Sequence, residues 1–328
     1  MPSTVRKGAL LLLKLLVSGW LLSFLFSRIG SEAILASVRR IDPITFFIAV
    51  LLYLAATYIS ALRWQLLIPC SIRTRVLFGL YMIGTFFNTY LPGLVGGDAV
   101  KAWYLTVLLR QQGFDGKAAN GAPGVSFGPL TAGVASVFMD RYIGLGALLF
   151  LGMICYPFGI GYFEKTAFVW LLPALFTGYA VISAMLFFLP AVGAIKVLAK
   201  FSSYASHYRT NVPVLMKTFA YSLCTQLLGF TAVYILAKGL GLDISFLSVA
   251  LYLPIIIITT MLPVSISGIG VREYAFIYFF GAAGVSPQAS MTLSLLWFFS
   301  VVIAGLWGLV EYLRVRQVFG AEKEEKPL

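Results

Sequence analysis

Residues 90–103 read YLPGLVGGDAVKAW. They interrupt a chain of 328 residues that is 60% hydrophobic and only 11% charged. Soluble domains carry about 25% charged residues. The apolar run VLFGLYMIGTFFNTYL (76–91) stops at Pro92-Gly93, and a second short helical stretch follows at 98–109. Proline ends a helix by removing a backbone donor, and glycine permits a tight turn. The sequence predicts two half-helices here, or a re-entrant pair, with Asp98 and Lys101 at the break.

A second break matches the first. Residues 246–262 (FLSVALYLPIIIITTML) stop at Pro263, and a short helical stretch resumes at 271–282. LPGLVGGDAVKAW aligns with LPVSISGIGVREY at one constant offset. Leu91-Pro92 falls on Leu262-Pro263, Gly97 on Gly268, Val100 on Val271 and Lys101 on Arg272. The offset is about half the chain, which points to an internal duplication.

Charge gaps define the remaining elements. No charged residue falls between Lys165 and Lys196, Lys217 and Lys238, Asp243 and Arg272, or Glu273 and Glu311. A helix needs about 20 apolar residues to cross a bilayer. Full spans are expected near 9–26, 43–62, 130–155, 166–190, 214–237 and 288–311. The first has Arg6 and Lys7 before it, but Lys14 interrupts it and no small-residue cleavage site follows, so it reads as a retained span. The fold class is thus an all-α polytopic membrane protein. It has two inverted repeats, each of three spans plus one broken or re-entrant helix pair. The first repeat covers 1–160, the second 161–316, and a short tail 317–328. An odd number of spans per repeat turns the second upside down.

Orientation follows from Lys and Arg near span ends. With the N-terminus inside, Arg6, Lys7, Arg63, Arg73, Arg75, Arg110, Lys117, Lys196, Lys200, Arg209, Arg314 and Arg316 collect on the cytoplasmic side. Arg28, Arg39, Arg40, Lys165 and Lys238 collect outside. Both termini are expected in the cytoplasm. The net charge of +12 reflects this loop bias beside anionic lipid, and not a nucleic-acid partner. Residues 191–209 read as either an interfacial helix or an ordinary loop helix.

Six charges fall within the membrane or at the breaks: Asp98, Lys101, Asp140, Arg141, Arg272 and Glu273. Each costs about 2.5–3.5 kcal/mol at a helix centre, so six unpaired charges would cost on the order of 15–20 kcal/mol. They must pair, face water or hold a charged ligand. Asp140 and Arg141 are adjacent, point about 100° apart on a helix, and so reach different partners. Arg141 either ties the bundle together or faces a central cavity. Asp98 either caps the helix after Gly96-Gly97 or contacts a ligand. Lys101 either snorkels to the interface or faces the same ligand. Lys101 and Arg272 stand at helix starts, where a cation opposes the helix dipole. Their matched placement points to an anion. A phosphate would gain from both the exposed N–H groups and the cations. Gly96, Gly97, Gly268 and Gly270 allow close backbone approach, and Ser265 and Ser267 can donate hydrogen bonds.

Other chemistry is poorly represented. The lone histidine, His207, does not suit His-based catalysis, and Cys70, Cys155 and Cys224 lack metal-ligand spacing. No metal, cofactor or ATP-binding signature is expected.

LPGLVGGDAVKAWYL (91–105), VFMDRYIGL (137–145) and LPVSISGIGVREYAFIYFF (262–280) resemble the lysylphosphatidylglycerol synthase transmembrane region family, also called the flippase-like domain family. The resemblance implies a prokaryotic inner (plasma) membrane protein that moves lipid between leaflets. Larger members carry a cytosolic aminoacyltransferase domain. The residues after Tyr312 are too few for one, so synthase activity is not expected. The first motif often has Arg where Lys101 stands. The expected function is a lipid transporter, or flippase. Its cargo would be an anionic, an aminoacylated or a polyprenyl-phosphate-linked lipid, with the phosphate between Lys101 and Arg272 and Arg141 as a third contact. Asp98, Asp140 and Glu273 would hold these cations. Two alternatives stay open: an intramembrane enzyme acting on a lipid-linked substrate, and a non-transporting partner of a lipid-synthesis enzyme. The oligomeric state is left open.

Overall fold

The computed structural model describes position 23 and residues 41–90, 96–114, 128–164, 168–188, 211–261 and 268–324, with side chains as far as 315. The described residues form nine α-helices and no strand. They are α1 (Pro43–Leu66), α2 (Thr74–Tyr90), α3 (Gly96–Gln111), α4 (Pro129–Cys155), α5 (Leu171–Phe188), α6 (Val212–Gly239), α7 (Phe246–Thr260), α8 (Val271–Ala282) and α9 (Pro287–Glu324). Two 3₁₀ turns, Tyr156–Phe158 and Ile160–Phe163, follow α4. The expected span 9–26 and the segment 191–209 lie outside the described residues.

The helix starts follow local chemistry. Proline stands in the first turn of α1, α4 and α6, where its missing N–H costs nothing. Asp42 caps α1 by accepting from the Thr45 amide at 3.3 Å. Ser245 caps α7 by accepting from the Ser248 amide at 3.0 Å.

Among the described residues, four helical stretches are long and apolar enough to cross a membrane: Pro43–Leu66, Pro129–Phe158, Val212–Gly239 and Pro287–Val315. The expected span 166–190 is realised as α5, which starts only at Leu171 and has 18 residues. The four helices that flank the breaks have 17, 16, 15 and 12 residues. At 1.5 Å per residue they are about 18–26 Å long. None reaches the roughly 30 Å of a hydrocarbon core.

Packing follows a regular scheme. α1 lies along α6; the pair α2–α3 and the pair α7–α8 each pack against both α4 and α9. Two apolar clusters result. One gathers Trp64, Leu77, Ile83, Leu105 and Met139 around α2–α3. The other gathers Phe163, Phe230, Tyr252, Phe276 and Phe280 around α7–α8. α4 contributes Ala135 and Met139 to the first, and Leu148 and Leu149 to the second. Asp140 and Arg141 sit on α4 near the change-over. Glycines permit the closest crossings. A Cβ at Gly97 would overlap the Gly84 carbonyl, and one at Gly308 the Met82 carbonyl. Such small-residue contacts are how membrane helices bring their backbones together. The outer surface carries exposed Phe47, Val181, Ile182, Ile303 and Val310, a face suited to lipid.

Candidate functional site

Asp140 and Arg141 are neighbours on α4 and turn to different sides. The Asp140 carboxylate points inward and is fully buried. It accepts from Arg63 Nε at 2.8 Å and from the Tyr81 hydroxyl at 2.8 Å. Lys101 Nζ stands 3.7 Å from Oδ2, the oxygen that accepts from Tyr81. Arg63 also donates from Nη1 to Ser222 at 2.9 Å. One carboxylate thus joins α1, α2, α3, α4 and α6.

Lys101 is 1% exposed. Its Nζ lies 3.4 Å from the centre of the Tyr81 ring and 4.4 Å from that of Trp64, a cation–π enclosure. It has an ion pair but no hydrogen-bond acceptor. The Trp64 indole is held in turn by Ser136 at 3.2 Å.

Arg141 points the other way. Its guanidinium grips Asp98 through a fork, Nε to Oδ2 at 3.0 Å and Nη2 to Oδ1 at 2.9 Å, with a longer third bond from Nε to Oδ1 at 3.3 Å. This forked geometry is the strong form of the arginine–carboxylate pair. The Arg141 side chain is 47% exposed and that of Asp98 18%. Asp98 lies in the first turn of α3, which begins at Gly96, so its oxygens favour the helix dipole while serving Arg141.

The second break is built differently. Gly268 and Gly270 have φ of 76° and 87°, the left-handed region that glycine enters without strain. Glu273 Oε2 accepts from the Gly270 amide at 2.6 Å, half of a capping box; glycine has no side chain to return the other half. Glu273 Oε1 accepts from Arg272 Nε at 3.0 Å and from the Ser294 hydroxyl at 3.1 Å. Arg272 and Glu273 are adjacent yet paired, because both turn toward Ser294 on α9. The Arg272 guanidinium lies 4.4 Å over the Phe298 ring.

A cavity of about 550 Å³ opens where the two breaks meet. Its charged lining is Asp98, Arg141 and Arg272. The end of α2 adds Thr85, Asn88 and Thr89, and the end of α7 adds Thr260. Tyr53, Phe138, Tyr142, Trp297 and Phe298 supply aromatic surface.

The sequence-expected residues are therefore divided. Asp98, Arg141 and Arg272 line the cavity. Glu273 stands behind Arg272, and Asp140 behind Tyr81. Gly97 sits at the α2–α3 crossing and donates its amide to Asn88 at 2.9 Å. Gly96 opens α3, and Gly268 and Gly270 form the second turn. Ser265 and Ser267 lie outside the described residues. Lys101 requires a correction: it does not share the cavity with Arg272, because Tyr81 and Trp64 cover it and Asp140 draws it inward. Arg63 also needs one. The positive-inside count took it for a charge at a span end, yet α1 runs on to Leu66 and Arg63 is 3% exposed. No helix breaker separates Tyr58 from Leu67, and that continuity was the available signal. Tyr81, Ser222 and Ser294 were not singled out either. No group of three or more His, Cys, Asp or Glu able to hold a metal occurs among the described residues.

Long apolar helices packed around short ones, with a partly polar cavity among them, define a multi-pass membrane protein. The chain belongs to the family described as the lysylphosphatidylglycerol synthase TM region, which matches residues 11–308. It is also similar to a UPF0104 membrane protein of Methanothermobacter thermautotrophicus, with 24% identity over 321 residues, covering 87% of this chain and 88% of that protein.

Proposed function

We propose that the protein moves a lipid with a phosphate-bearing headgroup between leaflets, the phosphate resting between Arg141 and Arg272. The observation that carries this is the cavity itself, where two guanidinium side chains and the starts of α3 and α8 face one space. Guanidinium groups and the positive ends of helix dipoles both favour oxyanions. Charge balance supports the same ligand. The cavity and the cluster behind it hold the cations Arg63, Lys101, Arg141 and Arg272 against the carboxylates Asp98, Asp140 and Glu273. One positive charge is left over, and a phosphodiester carries one negative charge.

The packing supports an inverted-repeat mechanism. α2–α3 and α7–α8 have equivalent neighbours in α4 and α9, the relation expected if the two halves exchange places across a pseudo-two-fold axis. The headgroup would cross between the halves while the acyl chains stay in lipid. An enzymatic reading gains less. Asp98 is engaged by Arg141, and Glu273 by Arg272, Ser294 and the Gly270 amide, so neither carboxylate stands ready as a base.

The test is leaflet exchange of headgroup-labelled phosphatidylglycerol in proteoliposomes. Loss of a charge-assisted hydrogen bond costs about 1.5–3 kcal/mol. Arg141→Ala combined with Arg272→Ala should lower exchange at least about tenfold. No exchange of any phospholipid by the native protein defeats the reading.

A further inference from the structure

Lys101 enters this reading only through its charge and does not touch the cavity. It is fully buried, has no hydrogen-bond acceptor, and shares its counter-ion with Arg63. An ammonium without acceptors in an apolar interior is costly. The groups that face it are Arg63 from α1, Tyr81 from α2, Asp98 from its own helix, and Asp140 and Arg141 from α4. Among these, the arginines keep their protons at any accessible pH. Asp140 receives hydrogen bonds from Arg63 and Tyr81, which hold it as a carboxylate. Lys101 is the one cation of the cavity and the cluster behind it whose charged nitrogen no acceptor hydrogen-bonds.

We propose that Lys101 is a proton-binding site that couples proton movement to headgroup movement, an inference that rests on reading the cavity as a phosphate site. With a neutral amine, the charges of the cavity and the cluster sum to zero when the cavity is empty. With an ammonium they sum to one positive charge, which one phosphodiester cancels. Taking up one proton with each headgroup keeps the interior neutral in both states. The route is short. Tyr81 lines the cavity, and its hydroxyl donates to Asp140 at 2.8 Å. Lys101 Nζ stands 3.7 Å from that carboxylate. As the phosphate enters, a proton drawn from the bulk reaches the Tyr81 oxygen through cavity water, Tyr81 passes its own hydroxyl proton to Asp140, and Asp140 hands a proton to the amine lone pair. Each O–H bond broken on the way is re-formed, so the net change is one N–H bond made, and the reverse relay returns the proton as the phosphate leaves.

Proteoliposomes carrying labelled phosphatidylglycerol test this with an imposed pH gradient, the membrane potential being clamped separately. One proton per lipid shifts the steady-state leaflet ratio about tenfold per pH unit. The potential has no effect, because the two transported charges cancel. In Lys101→Met and Lys101→Arg the exchange continues, the response to the gradient is lost, and the potential now drives the distribution. The arginine variant keeps the ion pair and the aromatic contacts should the methionine variant fail to fold. Native exchange that ignores the gradient, or a gradient response surviving in both variants, overturns the coupling and leaves the phosphate site standing. Absence of exchange at every pH overturns the phosphate site, and the coupling with it.

Discussion

The two breaks carry a cation at matched positions, Lys101 in α3 and Arg272 in α8, and give it opposite surroundings. Arg272 takes its counter-ion from the next residue of its own helix and is among the residues that line the cavity. Lys101 takes its counter-ion from α4, shares it with Arg63, and is drawn behind Tyr81. The first half then meets the cavity with Arg141 instead. A repeated sequence pattern fixes a repeated backbone break; where the nearest carboxylate stands decides which way the cation turns.

The sharpest way to break this comparison is to remove the two carboxylates in turn. Asp140→Ala leaves Arg63 and Lys101 buried without their partner and should cost about 3–5 kcal/mol, read as unfolding in detergent with denaturant. Glu273→Ala leaves Arg272 free to reach the cavity and strands the Gly270 amide, a cost of about 1–3 kcal/mol. Equal losses would mean that the two clusters are equivalent after all.

The next effect concerns the crossing beneath the first break. Gly97→Ala drives a methyl group into the Gly84 carbonyl and should cost about 1–3 kcal/mol. Gly229→Ala, with open space around its Cβ, serves as the contrast and should gain up to about 1 kcal/mol from helix propensity. A Gly97→Ala protein as stable as the parent would show that α2 and α3 part easily. The smallest effect is expected at the cavity rim. Asp98→Asn breaks a partly exposed pair, and its cost should stay below about 1 kcal/mol by the same unfolding measurement. A larger loss would place that pair among the structural clusters.

Much of this architecture was legible in the sequence. Pro92-Gly93 and Pro263 marked where the short helices stop, and the charge gaps marked the long ones. The three charged side chains that line the cavity, Asp98, Arg141 and Arg272, are all among the sequence candidates. Their partners were not legible. That Arg141 reaches Asp98, and Asp140 reaches Arg63, depends on how α4 is rotated against α1 and α3, which no single helix encodes. Lys101 was placed beside Arg272 because an alignment of breaks carries helix starts and not helix rotation. Arg63 was misjudged because a cation near a span end looks the same whether it snorkels outward or turns in. The proposed relation of the two halves draws on that alignment together with the neighbours each broken pair keeps.

The forked contact between Arg141 and Asp98 has one more consequence. It already occupies the guanidinium edge that an oxyanion would want, so on the proposed reading arrival of cargo would be a contest for that edge and not the filling of a void. An oxyanion that won Arg141 would release Asp98, and with it the tether between the start of α3 and the middle of α4. Occupancy would then be translated into slack between two helices, and an empty site would draw them together again.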